Sequence, residues 1–511
     1  MLAVFLAAPA RAHPGDVAAL QAGGDTLTVV GPWELTGLEP SRSGYIFSRM
    51  EVTQTLLDAD DDGRLLPALA SSWSVSADRL QWRFTIDGRR RFHDDTPVTA
   101  ATVLVSLRRA LATPGVLQLA GIVSIAAAHD TVVVTLRQPF APLPYLFTQY
   151  STQVLAPSSF GPDGRVVRIV GSGPYRIRSI DLPQQFEMER FVGWRGPLPQ
   201  VRRARYISVS RAETRALMAQ SRQADLAFTL DPPSIRRLQR QAGVTLVSQT
   251  LPRTTFLKLN GAHPFLGDVR VRRAISLGIE RDGIAVALLR DADLGATQLF
   301  PPALPQWHQR ALAPLRTDPA LARRLLREAG FTPGRDGIVR KDGRRFELTL
   351  LTFVDRPELP LIATAVQEQM RQIGIAVKVV VGNSSDIPAG HRSGTLDMGL
   401  VARNFGTTPD PTATLAGDYG PAGGDWGAMH WTAPALTAAL ARLTGSTEPP
   451  DQAAGAARDR AIVAAELQTG LPVIPIVWYR QTMAVSTRVS DASIDPFERS
   501  YRISSLRWTD D

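Results

Sequence analysis

Residues 347–381 read ELTLLTFVDRPELPLIATAVQEQMRQIGIAVKVVV, and the succession of patterns within them sets the fold class. Glu347 to Thr352 is an apolar run of strand length with β-branched members. Glu358 to Ile373 has the pattern of a helix, and Gly374 closes it. Ile375 to Val381 is a second strand. A β-α-β succession returns its second strand beside the first in the same direction, so the chain contains a partly parallel sheet and belongs to the α/β class.

Working outward, the same reading extends in both directions. Asp318-Pro319 starts a helix with Leu321, Leu325 and Ala329 inward and Arg323, Arg324 and Arg327 outward, and Gly330 stops it. Asp268 to Gly283 predicts another, with Val271, Ile275 and Ile279 on one face, after a strand from Thr255 to Leu259. Towards the C-terminus, Asp451 to Gln468 is helical and Pro472 to Trp478 is an apolar strand.

In the N-terminal half, TLTVV after Asp25 reads as a buried strand and Tyr45 to Leu57 as helix-like. Leu80, Trp82, Phe84 and Ile86 alternate with polar residues up to the turn Asp87-Gly88. Thr99 caps a helix carrying Val103, Leu107 and Leu111, and Val132 to Leu136 is a strand. Leu217 to Asp225 is a helix leading into a strand from Leu226 to Leu230. The 511 residues exceed one ordinary core, so two or three lobes are expected. With no low-complexity linker between them, the lobes must be tied by crossing strands, and Gly171-Ser172-Gly173-Pro174-Tyr175 is expected to be a backbone crossing.

Composition narrows the function classes. The chain is 44% hydrophobic and 21% charged, as folded globular proteins are. Its first twelve residues, MLAVFLAAPARA, are apolar and end in Ala10-Arg11-Ala12, the small-x-small pattern read by signal peptidase. Export follows as an expectation, and the missing basic n-region suggests a start codon placed too late. No later run approaches the roughly twenty apolar residues of a membrane helix. There is no cysteine, which excludes disulfides, thiolate metal sites, catalytic thiols and a lipid anchor on an N-terminal cysteine. A Gram-negative periplasm suits an exported, unanchored chain. The net charge of +9 comes from 57 basic residues spread along the whole length, of which only Lys258, Lys341 and Lys378 are lysines. That distribution argues against a nucleic-acid surface.

Several chemistries are missing. None of the three lysines follows a glycine or stands three residues after a serine, so there is neither a phosphate loop nor a serine/lysine hydrolase site. No G-x-S-x-G or H-E-x-x-H occurs. Asp58, Asp60, Asp62 and Gly63 imitate a calcium loop, but its twelfth position is Leu69 where a glutamate is required, so the segment is a turn. The stretch from Val401 to Trp431 stands out instead. Arg403, Phe405, Tyr419, Trp426, His430 and Trp431 sit among glycines and prolines, as in the wall of a ligand pocket or in a long surface loop with aromatics tucked onto the core.

Taken in order, Leu66-Pro67-Ala68-Leu69-Ala70, Phe92-His93-Asp94-Asp95-Thr96-Pro97-Val98-Thr99-Ala100, Gly171 to Tyr175, Asp268 to Ile275 and Ala322 to Phe331 resemble motifs of the bacterial extracellular solute-binding proteins, family 5, which serve ABC importers of peptides and nickel. The resemblance implies a type II periplasmic-binding-protein fold with three lobes, mixed sheets and a hinged ligand cleft. The lobes would be residues 25–44, 166–250 and 479–511; 45–165; and 251–478. It also implies a monomer that hands its ligand to permease subunits, with no catalysis and no intrinsic cofactor. A periplasmic hydrolase is the alternative from another class.

Within the family, peptide binders place an aspartate three residues before an Asp-Pro pair to meet the peptide's amine. Here Asp410-Pro411 is preceded by Thr407. Arg403-Asn404-Phe405-Gly406 with Asp410-Pro411 resembles the R-x-W-G-x-x-x-D-P pattern of the nickel branch, as do Phe47 to Glu51 and Asp495 to Arg502. This resemblance implies a nickel or related metal chelate as ligand, its carboxylates held by the fork of Arg403 and its metal completed by His430. Tyr45 and Arg49 would face it from the opposite lobe. Val116, Tyr150 and Gln153 depart from that branch, which has a tryptophan and arginines there. A di- or oligopeptide, or an opine-like amino acid derivative, is the alternative ligand.

Overall fold

The computed structural model describes residues 26–354, 356, 358–446 and 455–509. The export segment expected at residues 1–12 and the first residues of the helix expected from Asp451 lie outside them.

The chain begins with β1 (Thr26–Gly31), buried at all but its first residue, and α1 (Pro40–Arg49). This helix replaces the one expected from Tyr45 to Leu57. Pro40 presets its first turn, and Glu51, at φ +58°, leaves helical space just after its end.

Next come β2 (Ala70–Val75), β3 (Gln81–Ile86), α2 (Ala100–Ala112), β4 (Ile122–Ala128) and β5 (Thr131–Leu136). The four strands form an antiparallel sheet in the order β2-β3-β5-β4. Trp82, Phe84, Ile86, Val132 and Val134 point from it onto Val103 and Leu107 of α2, all of them buried. Thr99 caps α2 by accepting the amide of Thr102, whose own hydroxyl accepts the Thr99 amide.

The chain then crosses back past α1. A Cβ on Gly171 would lie 2.1 Å from the Val52 carbonyl oxygen, and one on Gly173 2.1 Å from that of Glu51. Two chain passes touch backbone to backbone there, and only glycine fits. After the crossing lie β6 (Tyr175–Asp181), β7 (Gln185–Arg190), β8 (Arg203–Ser208), α3 (Ala212–Gln220) and β9 (Leu226–Ala227). The helix expected at Leu217 to Asp225 starts earlier, and the strand expected to reach Leu230 is two residues long. Arg222 and Thr229, both at positive φ, bound the two elements.

A long strand, β10 (Val244–Leu259), leads into the largest part of the chain. That part holds α4 (Val269–Leu277), α5 (Pro319–Glu328), β11 (Glu347–Phe353), α6 (Glu358–Gln372), β12 (Ala376–Gly382), α7 (Asp386–Ser393), β13 (Met398–Asn404), α8 (Thr412–Tyr419), α9 (Pro434–Gly445) and α10 (Ala456–Gly470). The strand β14 (Val473–Ser486) returns from it. β11 and β12 pair in parallel from Glu347↔Ala376 to Phe353↔Gly382, as the β-α-β pattern requires. In α5 the buried side chains are Ala322 and Leu326, one residue round from the expected Leu321 and Leu325, which are half-buried. Arg323, Arg324 and Arg327 are exposed, as expected.

Among the described residues, ten strands form one mixed sheet in the order β12-β11-β13-β10-β14-β9-β1-β8-β7-β6. β10 and β14 run through its middle as an antiparallel pair from Val244↔Ser486 to Lys258↔Val473. The first half of β10 packs with the core that contains Leu27, Tyr206 and Met483; the second half joins the core that contains Leu348, Val366 and Val401. A third core, around Phe84 and Leu107, covers the four-stranded sheet. The fold is a three-lobed type II periplasmic-binding-protein architecture with a hinged cleft, and the paired long strands are the crossings that tie its lobes.

Candidate functional site

In open α/β sheets, ligands bind outside the carboxyl ends of parallel strands, where chain connections part. β1, β11 and β13 end at one such crevice. Trp33 follows β1, Arg356 follows β11, and Arg403 and Asn404 end β13. Between them the register of β10 on β14 slips from Leu251↔Tyr479 to Thr254↔Trp478, bulging at Pro252 and Arg253. The bulge aims Arg253 into the crevice from the middle of the crossing.

One carboxylate organises this place. Glu498, in the segment after β14, has a left-handed backbone (φ +55°) and a side chain only 8% exposed. Its Oε2 accepts from Arg253 Nη2 at 2.5 Å and from Asn404 Nδ2 at 3.3 Å. Arg49 donates through Nε to the Glu498 carbonyl oxygen at 2.8 Å and reaches Oε1 at 3.5 Å. Burial opposes ionisation of Glu498, but Arg253, Arg49 and Arg356 together overcome it and hold its pKa below the ordinary value.

Aromatic rings wall the cluster. The Arg49 guanidinium lies 4.4 Å from the Trp33 ring centroid and 5.4 Å from that of Tyr45, which stands edge-on to Tyr150. Arg253 and Arg356 lie 4.8 and 5.2 Å from the ring of Tyr479. Trp33, Tyr45, Tyr150 and Tyr479 are half-buried, so part of each ring remains accessible. Arg253 Nε is buried with no hydrogen-bond partner. Arg356 has Glu358 at 4.0 Å as its ion-pair partner. Two guanidiniums thus hold the Glu498 carboxylate and a third, Arg356, shares the Tyr479 ring with Arg253, a concentration of positive charge beside flat apolar surfaces that favours anionic groups.

The stretch from Val401 to Trp431 divides into parts with different surroundings. Arg403 is paired on both arms, Nε to Asp418 Oδ2 at 2.7 Å and Nη2 to Oδ1 at 3.0 Å. The fork expected to hold a ligand carboxylate is therefore filled by a residue of its own lobe. Behind the pair, Lys258 donates to the carbonyls of Gly424 at 2.6 Å and Gly427 at 2.8 Å. Burial pulls the Lys258 pKa down to about 7, against Asp418 and Asp425. Burial likewise pushes Asp418 up, with Arg403 and Lys258 pulling back.

Phe405 is fully buried edge-on to Phe300, and Tyr419 is fully buried with its hydroxyl unpartnered, so both belong to the lobe's core. Thr407 is half-buried with its hydroxyl 3.4 Å from that of Thr414. Trp426 is half-buried and edge-on to Phe353, the last residue of β11.

His430 lies elsewhere. Its Nδ1 is 2.8 Å from the Oδ1 of Asn260, just past the end of β10, where β10 pairs with the start of β13. The length of β13 separates it from Arg403, roughly 20 Å at the usual rise per strand residue. The structure brings Tyr45 and Arg49 together, and joins them through Glu498 to Asn404 beside Arg403; it does not bring His430 to them. Among the described residues, no group of three or more His, Asp or Glu side chains is placed to hold a metal ion.

Sequence reasoning missed Arg253, Arg356, Tyr479 and Glu498 as site residues. A signal was there for two of them: Arg253 and Lys258 are the charged residues in a strand segment from Leu251 to Leu259 that is buried throughout, and Arg356 lies three residues beyond the carboxyl end of β11.

A hinged pair of lobes around a charged, aromatic crevice defines a ligand-capturing protein. Residues 64–426 match the middle region of the bacterial extracellular solute-binding proteins, family 5, and the chain belongs to that family. It is 27% identical over 424 residues to the nickel-binding periplasmic protein of Escherichia coli strain K12, covering 80% of each chain. It is 25% identical over 366 residues to the glutathione-binding protein GsiB of Salmonella typhimurium strain LT2, covering 70% of this chain and 69% of that one. In fold it is similar to NikA from Brucella suis in complex with Fe(III)-EDTA, with a TM-score of 0.82 at 23% identity, over 95% of this chain and 100% of the other.

Proposed function

We propose that the chain is the periplasmic substrate-binding protein of an ABC importer and that its ligand is a nickel or related metal chelate. The observation that carries this reading is the pairing of Arg49 and Arg253 with the carboxylate of Glu498, with Arg356 close by on the Tyr479 ring that Arg253 also meets. Carboxylates of a chelator would take the guanidinium donors, while Trp33, Tyr45 and Tyr479 flank its apolar faces. The metal's donors would come from the chelator, since the described residues offer no metal-binding group of their own. Thr407 and Trp426 would stand on the opposing wall, with Arg403, Phe405 and Tyr419 supporting it from behind.

Closure of the lobes would bury ligand surface and create contacts that exist only in the closed form, so a ligand shifts the open–closed equilibrium by its differential affinity. We take the lobes as residues 25–44, 166–250 and 479–511; 45–165; and 251–478, and the working unit as a monomer that docks on the permease.

A peptide or opine-like amino acid derivative is the second reading, favoured by the glutathione-binding relative. Against a free peptide amine stands Thr407, whose hydroxyl does not replace a carboxylate opposite an ammonium group. Mass spectrometry of ligand released from protein purified without refolding, with metal analysis of the same sample, separates the two. A metal with a carboxylate chelator is expected; a short peptide without metal would sink the chelate reading.

A further inference from the structure

Glu498 is an unusual occupant of a ligand crevice. It is a carboxylate supplied by the protein where a ligand's carboxylate is also wanted, and it is held there by backbone in the left-handed region that non-glycine residues seldom adopt. It accepts from Arg253 and Asn404 and pairs with Arg49, groups that come from the hinge strand, the end of β13 and α1. Among the described residues, the three arginines meet two carboxylates: Glu498, which all three feel, and Glu358, which touches Arg356 alone at 4.0 Å. Among the described groups, three positive charges against two negative ones leave one positive charge, in a place where Arg49, Arg253 and Glu498 are each at most 11% exposed. Inside such a space an uncompensated charge is costly, and a ligand of matching opposite charge is favoured over one that overshoots or falls short.

We propose that Glu498 is a specificity-determining residue: an internal carboxylate that cancels part of the arginine cluster and thereby tunes the crevice to ligands of one net negative charge. It rests on the crevice being the ligand site and deepens the chelate reading by stating the ligand's charge class. Arg356 is the opposite pole of the same device. Its side chain is 27% exposed, so removing its charge perturbs packing less than removing that of Glu498.

The test uses three nickel complexes that differ in charge: neutral bis(histidinato)nickel, monoanionic nickel citrate and dianionic nickel–EDTA. Each is titrated calorimetrically into the wild type, Glu498→Gln and Arg356→Gln, after melting curves show that each variant is folded. Comparing each variant with the wild type, ligand by ligand, cancels differences in size and shape between the complexes. Glu498→Gln should shift preference from the monoanion towards the dianion by about tenfold, the scale of one charge interaction at short range in a partly buried site. Arg356→Gln should shift it towards the neutral complex, and this arm stands alone if Glu498→Gln does not fold. Unchanged preferences, or shifts of both variants in the same direction, would overturn the proposal. If the complexes fail to bind and dipeptides bind instead, the metal reading falls and the same order of shifts is expected across Ala-Ala, Ala-Asp and Asp-Asp. Absence of binding by all six probes to all three proteins would overturn the proposal as well.

Discussion

Two arginine–carboxylate clusters stand at the carboxyl end of β13 and differ in their charge balance. In the wall from Val401 to Trp431, Arg403 and Asp418 are matched one to one, both arms of the guanidinium on both oxygens, with Lys258 anchoring the loop behind them. At the hinge, Arg49 and Arg253 pair with Glu498 while Arg356 stands beside them, Arg253 Nε has no hydrogen-bond partner, and half-buried rings stand around them. A saturated pair is complete without a ligand and serves the fold. An under-neutralised cluster can be completed from outside, and the solute is proposed to bind there.

The largest expected effect tests the saturated side. Asp418→Ala leaves the half-buried Arg403 fork without its carboxylate and should lower stability by about 3 kcal/mol, the lower end of what breaking a fully buried pair costs. Urea unfolding measures it, and Arg403→Met combined with Asp418→Leu should recover much of the loss. A single variant as stable as the wild type would break the distinction between the clusters.

Next in size is the effect on binding. Arg356→Ala should lower affinity for a carboxylate chelate by about 1.5–3 kcal/mol, the range for hydrogen bonds to charged groups, with a stability change within about 0.5 kcal/mol. Calorimetry that found Arg403→Ala more damaging to the affinity of folded protein than Arg356→Ala would reverse the assignment.

The pH response of Lys258 comes third. Its pKa in the folded protein, about 7, lies below the ordinary lysine value of 10.5. Between the two values the unfolded chain holds a proton that the folded chain lacks, so stability rises as pH rises through this window, and the contribution is complete above the ordinary lysine value. The slope is at most about 1.4 kcal/mol per pH unit. Melting curves of the wild type and Lys258→Met across that window should diverge, the variant lacking this rise; parallel curves would show that Lys258 titrates normally.

The smallest effect is a gain. Thr407→Asp places a carboxylate where peptide binders of the family have one, and should improve dipeptide affinity by less than about 1 kcal/mol, since a half-exposed pair is screened by water. A loss of dipeptide affinity in the same titration would remove Thr407 from the crevice wall.

Local order carried the fold into the sequence. The β-α-β reading of residues 347–381 reappears as the parallel register of β11 on β12, because both strands and the helix between them are contiguous and strongly patterned. The crossing at Gly171 and Gly173 was legible because two glycines so close together mark backbone contact. Helix ends were less so: Glu51, Arg222 and Thr229 adopt positive φ for tertiary reasons that their residue types do not announce.

The site was legible only in its local half. Arg403 and Trp426 stand in one conspicuous stretch of sequence, whereas Glu498 meets Arg253 across 245 residues and Arg49 across 449. Such a convergence follows from the strand order of the large sheet, and no window of sequence contains it. The same stretch that drew attention to Arg403 also supplies Asp418, fifteen residues on in α8, which fills its fork.

The most direct test is the anomalous scattering of nickel in crystals grown with nickel citrate. One strong peak is expected in the crevice between Tyr45 and Tyr479, with chelator oxygens on Arg253 or Arg356 and no protein atom bound to the metal. A peak at His430, or a chelator seated on Arg403 with Asp418 displaced, would contradict this placement.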